Sequence, residues 1–278
     1  MIYICSAMYI EAEPFIKTLN LKKDTNITQF QMFRNENFIL LITGIGKIKS
    51  SIAATYMLTK YTPHESDIFL NIGFCGSQNM SYKIGQEFLC NKIIDNDTEK
   101  TYFTDILFKH PFKETNIETF STIIHSKKQT ENINGDLVDM ESSALYETAL
   151  TFMQPHQIFF IKIISDYLNT HFNEDNASKL KLLINNSSKK IIPWITELNE
   201  KFNYSKDILS PKDIELIDKL SNNLKLSCTM KNQFKQIIKY NELLNNSFSD
   251  IISTTLHLKC KSKKEGKIYL EEIKKRFI

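Results

Sequence analysis

The chain has 278 residues, 42% of them hydrophobic and 24% charged, with a formal net charge of +3. That is the composition of a globular protein with a sizeable core. The charge is too small to argue for nucleic acid as a partner, and no apolar run approaches the roughly 20 residues that a membrane-spanning helix needs. Five cysteines (Cys5, Cys75, Cys90, Cys228, Cys260) stand apart without a CxxC pair, and six histidines show no metal-ligand spacing. Free thiols in a reducing, cytoplasmic setting are therefore expected, and neither a disulfide framework nor a zinc site.

Residues 2–8 are apolar and short, without a basic leader, and read as a first strand and not as a signal peptide. Helical spacing follows from Glu11 to Leu19, with Pro14 expected in the first turn. Strands are predicted at residues 30–33 and 38–43, joined by the polar turn Arg34-Asn35-Glu36-Asn37. The second runs into Thr43-Gly44-Ile45-Gly46-Lys47, and a helix over residues 48–61 has Ile52, Ala53, Tyr56 and Met57 on its apolar face. A strand at 67–72 leads to Gly73-Phe74-Cys75-Gly76-Ser77. A turn at Lys83-Ile84-Gly85 opens another strand. Residues 95–118 are polar and aromatic with little periodicity. A short strand is predicted at 120–125, then a polar loop at 126–135.

Two apolar runs then end in acids. Leu137-Val138 leads to Asp139-Met140-Glu141, and a helix over 142–153 starts there. Ile158-Phe159-Phe160-Ile161-Lys162-Ile163-Ile164 leads to Ser165-Asp166. Two strands thus each deliver a carboxylate at the C-terminal end, the edge where ligands bind in open α/β sheets. Residues 177–202 have helical periodicity, with Pro193 expected to kink or split the helix. Strands alternating with helices predict an α/β fold, a mixed, mainly parallel twisted sheet flanked by helices.

No strand pattern survives beyond residue 203. Ser210-Pro211-Lys212-Asp213 is a helix start, with a Ser N-cap and Pro at the first helical position. Helices are predicted at 211–224, 229–245, 248–258 and 265–277. The expected division is a main domain at 1–203 and a small all-α appendage at 204–278. The run from Lys259 to Lys267 is basic, but no aromatic interleaving accompanies it, so nucleic acid is not the expected partner. Docking to a protein partner is an equal use for such a tail.

Laid end to end, Ala7-Met8-Tyr9-Ile10-Glu11, Thr43-Gly44-Ile45-Gly46-Lys47, Asn71-Ile72-Gly73-Phe74-Cys75-Gly76, Lys83-Ile84-Gly85, Asp139-Met140-Glu141 and Ile164-Ser165-Asp166 form an ordered series. It resembles the nucleoside phosphorylase/nucleosidase superfamily, and within it the methylthioadenosine/S-adenosylhomocysteine nucleosidases. The match spans about residues 1–200. The resemblance implies cleavage of the N-glycosidic bond of a small-molecule nucleoside, without metal or cofactor, in a protein expected to be a homodimer. It implies Asp166, beside Ser165, as the general acid that protonates the leaving base. Glu141 would hold the ribose hydroxyls, with Met140 against the sugar. Glu11, ahead of Glu13 by register, would position and deprotonate water. Phe74, Cys75, Gly76, Asp139 and Ile124 complete the expected substrate site.

Four departures accompany the match. Phe74 stands where a small residue is usual, Asp139 where Glu is usual and Lys162 where Arg is usual. The stretch between Gly85 and Phe120 is short, and the base-clamping loop near 123–125 lacks the family's Ser-Gly-Asp-type turn. Phosphate binding calls for arginine, and Arg34 is the sole arginine in residues 1–200. Water is therefore the expected nucleophile. A phosphorolytic enzyme, and a catalytically lapsed nucleoside sensor that signals through its helical tail, remain as alternatives.

Overall fold

A computed structural model describes residues 1–124, 133–168, 175–203, 209–243 and 255–277. The chain divides into two compact units, Met1–Tyr204 and Ser205–Ile278.

The first unit is built on ten strands: β1 (Ile2–Ser6), β2 (Lys22–Lys23), β3 (Met32–Arg34), β4 (Phe38–Ile42), β5 (Ile68–Ser77), β6 (Glu87–Asp95), β7 (Thr101–Phe103), β8 (Lys113–Thr119), β9 (Leu137–Asp139) and β10 (Ile158–Asp166). Among the described residues four α-helices accompany them: α1 (Tyr9–Thr18), α2 (Lys47–Tyr61), α3 (Ser142–Leu150) and α4 (Asp175–Asn203). Side chains alternate across the strands. Tyr3, Cys5, Ile158, Phe160 and Ile164 join the core under α2 and α3, with Ala53, Met57, Leu145 and Ala149. Ile2, Ile4, Phe159, Ile161 and Ile163 face the opposite core under α1 and α4, with Ala12, Phe15, Ile184 and Trp194.

The sheet is not the mainly parallel one that the sequence suggests. Parallel and antiparallel pairings are equal in number, five each. Five strands also close into a ring, β5–β10–β6–β8–β9–β5, and β1, β4, β3 and β2 extend from β5 as an open wing. The cause lies in residues 95–119. There β8 runs parallel to β6 and beside β9, which completes the ring. The strand expected at 120–125 is displaced to β8, and Phe120 to Ile124 carry no strand. His125 and residues 126–132 of the expected loop lie outside the described residues, as do 248–254 of the third tail helix.

Helix α1 starts at Tyr9, so Pro14 sits inside it and not in the first turn. Glu11 is the third helical residue and accepts the Met8 N–H, which secures the earlier start. Helix α4 runs through Pro193 unbroken. Its Ile184, Ile191, Trp194 and Ile195 stay in one core on both sides of the proline.

The second unit contains α5 (Pro211–Asn223), α6 (Cys228–Leu243) and α7 (Lys263–Phe277). Ser210 caps α5: its hydroxyl accepts Asp213 N–H at 3.2 Å, and Asp213 accepts Ser210 N–H at 2.8 Å. Ile217, Leu220 and Leu224 pack with Phe234, Ile238, Leu270 and Ile273 in a core of their own. No helix among the described residues is long and apolar enough to cross a membrane.

Candidate active site

Strand β5 organises the site. Its first half, up to Asn71, pairs with β1, and from Gly76 it pairs with β9; β10 runs along its other edge throughout. Between Asn71 and Gly76 the β1/β9 edge has no strand partner, so the backbone there must bond to something else. The Phe74 N–H donates to Glu11 Oε1 at 2.8 Å, and Ser6 Oγ donates to the Ile72 carbonyl at 2.9 Å. Gly73 permits this approach, because a Cβ on it would lie 3.0 Å from Glu11 Oε1.

A cavity of 380 Å³ opens at this gap. It brings together all ten residues expected there: Glu11, Phe74, Cys75, Gly76, Ile124, Asp139, Met140, Glu141, Ser165 and Asp166. Glu13 is not among them and pairs with Lys17 and Lys181 at 2.6 and 3.0 Å. Phe74 lines the cavity but packs its half-buried ring against the core under α1 and α4, so the space stays open. Ile123, from the stretch expected to clamp the base, also lines it, as does Leu168, which carries no signal in the sequence. Leu168 adopts a left-handed φ of +63° beside Gly76, where a Cβ would collide with its side chain.

The four carboxylates differ in surroundings. Glu11 is buried and accepts the Met8 and Phe74 N–H groups, each at 2.8 Å. Burial pushes its pKa up, and those hydrogen bonds and Lys162 oppose that only partly. Glu141 is the N-cap of α3 but caps nothing with its side chain; its Oε1 accepts the Gly46 N–H at 2.8 Å. Burial first, and then the negative Asp139, raise its pKa to about 7. Asp139 accepts from Lys162 Nζ at 2.7 Å, Ser142 Oγ at 2.6 Å and Thr119 Oγ1 at 2.8 Å. Burial would raise its pKa, but Lys162 overturns this and holds it low. Asp166 Oδ1 accepts the Leu168 N–H at 2.9 Å, and Oδ2 lies 2.7 Å from Ser165 Oγ. That hydroxyl is also 3.1 Å from the Cys75 carbonyl.

Lys47, in the motif after the glycines, does not line the cavity. It forms ion pairs with Asp95 and Asp97 at 2.6 and 2.8 Å. Arg34 pairs with Asp24 at 3.0 Å and is also absent from the cavity lining. No cluster of metal-ligating side chains occurs among the described residues.

No family model matches the chain. It is 24% identical over 204 residues to the 5′-methylthioadenosine/S-adenosylhomocysteine nucleosidase of Staphylococcus epidermidis, covering 61% of this chain and 87% of that protein. It is 28% identical over 122 residues to the aminodeoxyfutalosine nucleosidase of Campylobacter jejuni, covering 42% and 52% of the two chains. The structure of the Arabidopsis thaliana 5′-methylthioadenosine nucleosidase superposes with a TM-score of 0.61 at 17% identity, covering 71% of this chain and 95% of that one. The ordered motifs thus meet at one cavity in a chain that is similar in sequence to these nucleosidases and shares their fold.

Proposed function

We propose that the protein hydrolyses the N-glycosidic bond of a purine nucleoside, a 5′-substituted adenosine, releasing free base and sugar. The observation that carries this reading is a cavity lined by Glu11, Asp139, Glu141 and Asp166 and by no arginine. Such a lining repels phosphate and suits a substrate whose sugar becomes cation-like as the bond breaks.

In this reading ionised Glu141 accepts hydrogen bonds from the two ribose hydroxyls, and Met140 packs on the sugar. Glu11 holds the water that adds to the anomeric carbon and takes its proton. The carbon–nitrogen bond breaks with its electron pair going to the base, which takes a proton from Asp166. Ser165 serves both states of that acid. When Asp166 carries the proton on Oδ2, the Ser165 hydroxyl accepts from it and donates to the Cys75 carbonyl. After transfer, the hydroxyl donates to Oδ2 and stabilises the carboxylate. Relatives named as nucleosidases of methylthioadenosine and aminodeoxyfutalosine support hydrolysis as the reaction class.

A homodimer accompanies this proposal. Ile48 and Ile52, one turn apart on α2, are 77% and 58% exposed, a face suited to a second copy. Sedimentation of the wild type and of I48E/I52E tests it; a monomeric wild type refutes it.

The test of function is release of free base from a nucleoside panel, with and without phosphate. Release independent of phosphate is expected. Strict phosphate dependence would show a phosphorylase, and ligand-induced stabilisation without turnover would show a sensor.

A further inference from the structure

One hydrogen bond joins two helix starts at the polar wall of the cavity. Gly46, the N-cap of α2, donates its N–H to Glu141, the N-cap of α3. Gly46 adopts φ +98° and has no side chain to anchor it. The anchor lies behind the wall. Asp95, the last residue of β6, accepts from Lys47 Nζ at 2.6 Å and from Ser143 Oγ at 2.5 Å, both on Oδ2. Lys47 directly follows the N–H donor, and Ser143 lies two residues beyond the acceptor. Asp95 Oδ1 accepts both the N–H and the hydroxyl of Thr98 at 2.9 Å, which fixes the carboxylate in place. Lys47 also reaches Asp97 at 2.8 Å, and Asp97 accepts from Ser121, next to Thr122 in the cavity lining. One lysine and two aspartates thus tie three segments of the cavity wall from outside it.

We propose that Asp95 and Lys47 are positioning residues of the nucleoside site: they set the separation of Gly46 from Glu141, and so the direction in which the Glu141 carboxylate meets the sugar hydroxyls. Neither lines the cavity. The side chains of Asp95 and Lys47 are only 9% and 16% exposed, so solvent screens the pair weakly. Burial alone would raise the Asp95 carboxyl, but Lys47, Ser143 and Thr98 hold it down at about 2, so it stays charged. The inference rests on Glu141 as the ribose-binding group.

The experiment measures binding of a C-nucleoside analogue of adenosine, whose carbon–carbon link resists hydrolysis, and of its 2′,3′-dideoxy form. Calorimetry is run on the wild type, E141Q, D95N and K47M. The wild type is expected to prefer the hydroxylated ligand by about tenfold or more, and E141Q to lose most of that preference. D95N and K47M are expected to lose about threefold or more of it, with affinity for the dideoxy form within about twofold of wild type. Full retention of the preference in D95N and K47M overturns the positioning role while leaving Glu141 standing. Retention in E141Q overturns the reading beneath it. Should D95N not fold, Ser143→Ala removes one arm of the brace and gives the same comparison.

Discussion

Asp139, in the cavity lining, and Lys162, behind it, form an ion pair 2.7 Å apart with both side chains only 1% exposed. Lys162 shares the register of Ile158, Phe160 and Ile164 on β10, a row otherwise made of core residues. Asp139 has three further donors, Thr119 Oγ1, Ser142 Oγ and Ser142 N–H. Lys162→Met would leave a buried carboxylate without its counter-charge. A cost of about 3–5 kcal/mol is expected in urea unfolding, because breaking one side of a buried pair strands the other charge. The double change D139N/K162M is expected to recover most of that loss. A cost under about 1 kcal/mol for K162M would mean that the pair is not buried as described.

Glu141 makes stability and binding depend on pH in opposite senses. Its folded pKa of about 7 lies above the ordinary carboxylate value of 4.5. Between these two values the folded state holds a proton that the unfolded state has released, so apo-protein stability falls as pH rises through this window. Nucleoside affinity is expected to rise over the same range, as the ionised carboxylate becomes an acceptor for two hydroxyls. Glu141→Gln should therefore raise the apo melting temperature at pH 8, with little change near pH 4.5, while weakening nucleoside binding at pH 8. The stabilisation is expected at about 1–3 kcal/mol. Thermal scans of both proteins at the two pH values check this, and equal shifts at both would refute it.

The cavity residues on β9 and β10 are legible in the sequence because apolar runs that end in Asp-Met-Glu and Ser-Asp mark strand C-termini, where α/β folds place ligands. Gly73 and Gly76 are legible only as members of the ordered motif series. The ring is not legible, because β8 hides its pattern. Thr115, Glu118 and Thr119 on it are buried with hydrogen bonds to Asp136, Asn96 and Asp139, so polar residues stand where apolar ones would announce a strand. Lys162 is obscure for a similar reason. Its partner lies 23 residues away, and a lone lysine in an apolar run carries no sign of what neutralises it. Leu168 lies beyond any motif and enters the cavity only through its left-handed backbone and its contact with Gly76.

The two halves of the proposed chemistry separate by mutation. Asp166→Asn keeps an acceptor for the Leu168 N–H but cannot protonate a leaving base, so turnover should fall by about 10²–10⁴-fold with the fold intact. Ser165→Ala removes the hydroxyl that stands between Asp166 and the Cys75 carbonyl. A smaller loss, about 10-fold, is expected in kcat with KM little changed. Glu11→Gln should abolish water activation while retaining nucleoside binding. Steady-state kinetics beside calorimetry decide these cases. Wild-type turnover by D166N would remove Asp166 as the acid.

Gly266 tests the core of the helical unit. It lies in α7, and a Cβ there would run into the carbonyl oxygen of Leu224, just past the end of α5. Leu224 is itself held in the core with Phe234, Leu270 and Ile273, and the neighbouring Asn223 carbonyl accepts the Cys260 N–H at 2.9 Å, so this backbone cannot yield easily. Two effects of Gly266→Ala oppose each other. Alanine is the better helix former by about 1 kcal/mol at an exposed site. Overpacking against fixed backbone costs about 1–3 kcal/mol and sometimes more. The steric term should win, because the obstacle is a main-chain carbonyl and not the end of a flexible side chain. Amide hydrogen exchange is expected to show α7 losing protection in G266A relative to wild type. Unchanged or slower exchange would mean that the helix propensity gain prevails and that α7 does not approach Leu224 this closely.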